Sequence, residues 1–197
     1  MKPRAAVLAG LVLQALVLPA ASPALADGEV QKLMTQADKA RLEKYGETRK
    51  TAIAAAQKGD PAEVKEFNAV LARPLVAFSD KPLTGNWKCR TIKAGGDFGV
   101  LVIYDWFKCR VSDDGSGWVL EKLTGSQRTK GRFYDDNAKR AIYLGSFFVE
   151  GDPVLPYGSG PKTDQVGYAF RTGANAWRLE LPAPYYESNL DIIEFKR

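Results

Sequence analysis

The stretch QRTKGRFYDDNAKRAIYLGSFFV, residues 127–149, reads as two strands joined by a tight turn. In its first half Arg128, Lys130 and Arg132 recur at every second position, so they project from one face of one strand. Asp135-Asp136-Asn137 supplies turn residues, and the second half is dense in Ile, Tyr, Leu, Phe and Val, the residue types that suit a pleated surface. Outward in both directions the same texture repeats. Segments 86–93, 100–112, 118–123, 165–171, 176–181 and 190–196 are short runs of β-branched and aromatic residues, with Asp114-Gly115 and Gly173-Ala174-Asn175 as further turns. About eight hairpin-linked strands predict an antiparallel β-barrel or strongly curved sheet, because closure removes the unpaired edges an open sheet would leave.

Ahead of this β domain, from Asp27 to about residue 79, the spacing changes. Leu33, Met34, Ala37, Leu42, Tyr45, Ile53 and Ala56 recur at helical intervals among charged residues, with Gly46 weakening the middle. Asp60-Pro61-Ala62-Glu63 then has the form of a helix start, with Asp60 as N-cap, Pro61 at the first helical position and Glu63 in the reciprocal capping place. Val64, Phe67, Val70 and Leu71 form the apolar stripe of that helix, and Pro74 stops it. The expected organisation is α+β. A helical hairpin within residues 27–80 packs on an antiparallel β domain at 81–197, the two forming one unit.

The first 26 residues, MKPRAAVLAGLVLQALVLPAASPALA, have Lys2 and Arg4 before an apolar run and end in the small-x-small triplet Ala24-Leu25-Ala26. This predicts a signal peptide cut before Asp27, since the run is too short to span a bilayer and Pro19 and Pro23 interrupt the residues after it. The address is periplasmic or secreted. In that oxidising setting Cys89 and Cys109, each within a Lys-Cys-Arg tripeptide and both in strand-like segments, are expected to form a disulfide.

The chain contains no histidine, which excludes Ser-His-Asp and Cys-His nucleophilic sites and imidazole-bound zinc. Its net charge is +5, of which Lys2 and Arg4 supply two, and acidic and basic residues are interspersed, so nothing suggests a nucleic-acid partner. No metal or cofactor motif is present in the sequence.

Candidate ligand-facing residues come from three places. Segment 100–112 is apolar on both faces and therefore expected to be covered on both; within it Asp105 falls on the apolar row of Leu101, Ile103 and Phe107, flanked by Tyr104 and Trp106. The row of Arg128, Lys130 and Arg132 invites either acidic neighbours, such as Glu121, or an anionic ligand. The longest segment without strand pattern, 151–164, contains Tyr157 and the Gly158-Ser159-Gly160 triplet, and residues 182–186 form a second loop rich in Pro and Tyr. Both loops are candidates to lie over a barrel mouth.

Gly85-Asn86-Trp87 resembles the Gly-x-Trp opening of lipocalin-like barrels, in which the Trp closes one end beneath a basic residue of the last strand, here Lys196 or Arg197. Over longer stretches the chain resembles an uncharacterised family of secreted proteobacterial proteins. The resemblance is carried by WKCRTIK from Trp87, YDWFKCR from Tyr104, LEKLTGSQRTKGRFY from Leu120 and LELPAPYYESNLDIIE from Leu179. It implies a periplasmic protein and brings no catalytic residue. Two functions are compatible with the sequence: a non-enzymatic module binding a small molecule or an envelope protein, and a carboxylate-dependent hydrolase of an envelope glycan, which would need only two carboxyl groups.

Overall fold

The computed structural model describes residues 27–79, 82–97 and 100–197; the leader read at 1–26 lies outside them. Among these described residues four helices, α1 (Asp27–Leu33), α2 (Gln36–Glu43), α3 (Tyr45–Ala56) and α4 (Pro61–Leu71), precede nine strands. These are β1 (Gly85–Ala94), β2 (Leu101–Ile103), β3 (Phe107–Asp113), β4 (Trp118–Lys122), β5 (Gln127–Asn137), β6 (Arg140–Val149), β7 (Asp164–Gly173), β8 (Ala176–Pro182) and β9 (Leu190–Lys196). All pairings are antiparallel, and β1 pairs with β9 to close the sheet. On its other edge β1 meets β3 through Gly85–Cys89 and β2 through Ile92–Ala94, so β2 and β3 are two halves of one broken strand. The result is an eight-stranded up-and-down barrel, as the sequence pattern implies.

The helical region is finer than a hairpin. The chain breaks at Thr35, whose side chain caps α2, and turns again at Lys44, ahead of Gly46. Asp60 caps α4 by accepting from the amides of Ala62 and Glu63. Glu63 does not return the bond; its carboxylate accepts instead from the amide of Ile103 in β2, tying the helix to the barrel. In the β5–β6 hairpin, β5 runs through the anticipated turn residues to Asn137 and carries a bulge between Asp135 and Asn137.

Strands β7, β8 and β9 are buried on both faces for nearly their whole length. The cause is that helices cover the outside of the barrel here. Ala52, Ala56, Phe67 and Val70 of α3 and α4 pack on Ile92, Leu101, Leu190 and Ile192, while Val30, Met34 and Leu42 pack on Ile142, Leu144, Val166 and Tyr168. Between these two apolar contacts lies a belt of buried charge. Glu180 accepts from Tyr45, Arg49 and Arg178, and Glu194 pairs with Arg73 and Arg90. Carboxylates stripped of water on an outer strand face require such complete pairing.

Inside, alternation directs Trp87, Trp118, Leu120, Phe133, Tyr143, Trp177, Leu179 and Phe195 toward one core. Trp177 stacks on Phe195 at 3.5 Å and meets Trp87 and Phe133 edge-on. The segment before β1 crosses this end: Phe78 packs against Trp118 and Phe133, and the indole of Trp87 donates to the carbonyl of Leu83 at 2.7 Å. Arg197 lies over Trp87 at 3.9 Å, so a basic residue beside the last strand does cover the first-strand Trp.

Cys89 and Cys109 are joined by a disulfide across the β1–β3 pair, with Cα atoms 5.8 Å apart. A cross-link over 20 residues restricts the unfolded chain, so its reduction is expected to cost about 3 kcal/mol of stability. The check is a thermal melt with and without reductant; no change in midpoint once the thiols are titratable would contradict it.

Candidate functional site

The barrel interior is apolar at one end and polar at the other. On five inward rows a polar residue at this end breaks the apolar series: Cys89 and Thr91 lead to Lys93, Leu120 to Lys122, Phe133 and Gly131 to Thr129 and Gln127, Ala169 to Gln165, and Phe195 and Ile193 to Asp191. The registers Lys93↔Asp191, Gly145↔Gln165, Thr129↔Phe147 and Cys109↔Lys122 bring these positions together at one end.

Lys93 and Lys122 are 3% and 5% exposed. The Lys93 ammonium donates to Gln127 Oε1 at 3.1 Å and to Glu187 Oε2 at 2.5 Å. Lys122 donates to the carbonyl of Gln127 at 2.7 Å and sits over the Phe107 ring at 4.3 Å; among the described residues it forms no ion pair. Burial, followed by repulsion from Lys93, pushes the Lys122 ammonium down to about 8, with Asp191 opposing. Asp191 accepts from the hydroxyl of Ser188 at 2.6 Å, and burial raises its carboxyl above the usual range against the pull of Lys93. Both shifts are unfavourable to folding at neutral pH. The Lys122 cost is present in full below about 8 and disappears as pH rises toward 10.5, while the Asp191 cost sets in once the unfolded carboxyl has ionised.

The floor is fixed by a small polar chain. Thr129 lies 2.7 Å from the Tyr143 hydroxyl and donates to Gln165 at 2.5 Å. Tyr143 reaches there because Gly131 and Gly145 lack side chains; a Cβ on either would run into its ring.

Over the mouth lie parts of both loops singled out in the sequence. Lys162 and Asp164 from the first and Pro184, Tyr185 and Tyr186 from the second surround a cavity of about 20 Å³ with Lys93, Gln127, Gln165 and Asp191. Tyr186 packs on Phe147 at 5.3 Å between ring centres. The next residue, Glu187, has φ +70, a conformation a residue with a side chain seldom adopts, and from it reaches Lys93 and Gln127. Gly96 makes this possible: a Cβ there would meet the backbone of Glu187 and Ser188. A second cavity of about 90 Å³ adjoins, lined by Thr91, Lys93, Tyr104, Phe107, Lys122, Ser126 and Gln127. It borders the break between β2 and β3.

Besides these loop residues, Tyr104 lines the adjoining cavity. Asp105 is exposed, because the strand breaks at 104–106 and the apolar alternation does not carry through it. Trp106 lies on the outer surface under Arg90 at 4.5 Å and Lys196 at 3.9 Å. Arg128, Lys130 and Arg132 project outward and pair with Glu150, Glu121 and Asp114. Tyr157 anchors the 151–163 loop to the helices by donating to Asp38 at 2.7 Å and accepting from the amide of Thr35. Ser159 donates to the carbonyl of Pro156. Lys93, Lys122 and Asp191 were not singled out, although each is a charged residue in phase with a buried row.

Among the described residues no cluster of three Cys, Asp or Glu groups suited to a metal ion occurs, and no helix is long and apolar enough to cross a membrane. A model of a domain of unknown function, DUF4893, matches residues 30–195. The chain belongs to the DUF4893 family. The matched region runs from α1 to β9, so the covering helices and the polar mouth are both inside the DUF4893 domain. No curated protein and no solved structure matches this DUF4893 chain.

Proposed function

We propose that this protein is a binding module of the cell envelope, taking a small anionic ligand at the polar end of its barrel. The observation that carries this reading is Lys122: an ammonium inside the barrel, without an ion-pair partner among the described residues, beside a second ammonium and a cavity. A group that weakens the fold where it stands is explained by a ligand that completes it. The leader sequence and the disulfide support the envelope location. A cavity of about 90 Å³ has the volume of roughly three waters, which suits a small carboxylate or phosphate and not a glycan ring, so the hydrolase reading is the weaker one.

Calorimetric titration with small carboxylates and inorganic phosphate tests this. Lys122→Met is expected to reduce affinity by about ten- to a hundredfold, the size of a lost charge-assisted hydrogen bond, while leaving the fold equally stable or more stable by about 1–2 kcal/mol. Undiminished affinity in the variant, or no anion binding by the native protein, would refute the assignment.

A further inference from the structure

We infer that Lys122 is a nucleophilic amine that captures a small 2-oxo acid as an imine within the barrel mouth. This rests on the reading of the mouth as an anion site and adds a covalent step to it.

The geometry sets Lys122 apart from every exposed lysine. Its Nζ has one hydrogen-bond acceptor, the carbonyl of Gln127, and no carboxylate at ion-pair distance among the described residues. It also lies over the face of Phe107. It lines the 90 Å³ cavity together with Lys93, placing a second cation beside whatever enters. An ammonium that carboxylates do not hold gives up its proton readily, and a neighbouring cation adds to that. With a value near 8, about a tenth of Lys122 is free amine at pH 7, against less than about a thousandth of an ordinary lysine. The charged and titratable groups facing it are Lys93 of β1, Asp191 of β9, Arg128 of β5 and Tyr104 at the wall break, with Glu187 on Lys93.

The cavity volume limits the ligand to about six heavy atoms, and the two cations call for a carboxylate next to the reacting carbonyl. In the reaction the nitrogen lone pair of Lys122 forms the new N–C bond to the carbonyl carbon. The C–O bond then breaks, and the oxygen leaves as water with the two protons the amine gives up. No oxidant or reductant takes part. The ligand carboxylate takes the place at Lys93 that Glu187 occupies, so Glu187 and its loop are displaced on binding.

The test is reductive trapping of the full chain with pyruvate and cyanoborohydride, followed by peptide mass mapping, with lactate binding measured in parallel by calorimetry. The expected result is one carboxyethyl adduct at Lys122, formed faster than at any other lysine. Lys122→Arg should abolish the adduct, and lactate, which has no ketone to form an imine, reports anion binding on the native chain. Lactate binding without trapping at Lys122, or adducts spread over the exposed lysines, overturns the imine and leaves the anion site standing. Absence of both lactate binding and trapping overturns both.

Discussion

Glu180→Ala is expected to destabilise the protein by about 3–5 kcal/mol, because removing one partner leaves buried charge uncompensated. Glu180 is fully buried between β8 and α3 and receives Arg49 at 2.7 Å, Arg178 at 2.7 Å and the Tyr45 hydroxyl at 2.7 Å. Arg178 is itself buried, so its guanidinium would remain out of water without the carboxylate it donates to. Burial alone would raise the Glu180 carboxyl, but Arg49 and Arg178 hold it below its usual value of 4.5. The folded value is thus lower than the unfolded one. The contribution is fully present above pH 4.5 and is lost as the pH falls through the folded value, so Glu180 is a point of acid lability. Urea denaturation of Glu180→Ala and Glu180→Leu/Arg178→Met measures the effect. The double variant, which removes charge from both sides, should recover most of the loss, and equal destabilisation of the two would show that packing and not charge is responsible.

Trp177→Ala is expected to cost about 3–5 kcal/mol as well, for a different reason. Trp177 is fully buried at the centre of the barrel, stacked on Phe195 and edge-on to Trp87 and Phe133. These rings come from β8, β9, β1 and β5, so the lost indole leaves a void that no single strand can move to fill. Trp177→Phe should lose much less. A loss under about 1 kcal/mol for the alanine variant in urea would mean that the barrel collapses around the gap.

The β architecture was legible because hairpin turns and β-rich runs are local signals, and the pattern around residues 127–149 carried most of it. The broken strand was not. Segment 100–112 reads as continuous, and only pairing with two different parts of β1 shows why residues 104–106 leave the sheet. Asp105 accordingly looked inward by phase and lies outside. The mouth was hidden for a related reason. Lys93, Lys122 and Asp191 come from three strands far apart in sequence, and each is a single polar residue ending an apolar row. Their shared end of the barrel follows from register, which alternation within one strand does not supply. Glu180 and Glu194 escaped notice similarly, because their outer rows became interior only when the helices covered them.

The seam between β1 and β9 has a kinetic consequence. Lys88 pairs with Lys196 and Ala94 with Leu190, contacts about a hundred residues apart in the chain, whereas the other neighbouring strands are joined by short connections. Loop-closure entropy makes such a pairing late and slow relative to the hairpins. The meander from β3 to β9 can therefore zip locally while the seam stays open, and in that interval the free edges of β1 and β9 are available to another chain. Emergence of the last seven-residue strand is what ends this exposure. In pulse-labelled hydrogen exchange the amides of Ile192 and Glu194 should gain protection after those of β5 and β6, making the final strand the lock on a barrel whose other pairs are already formed.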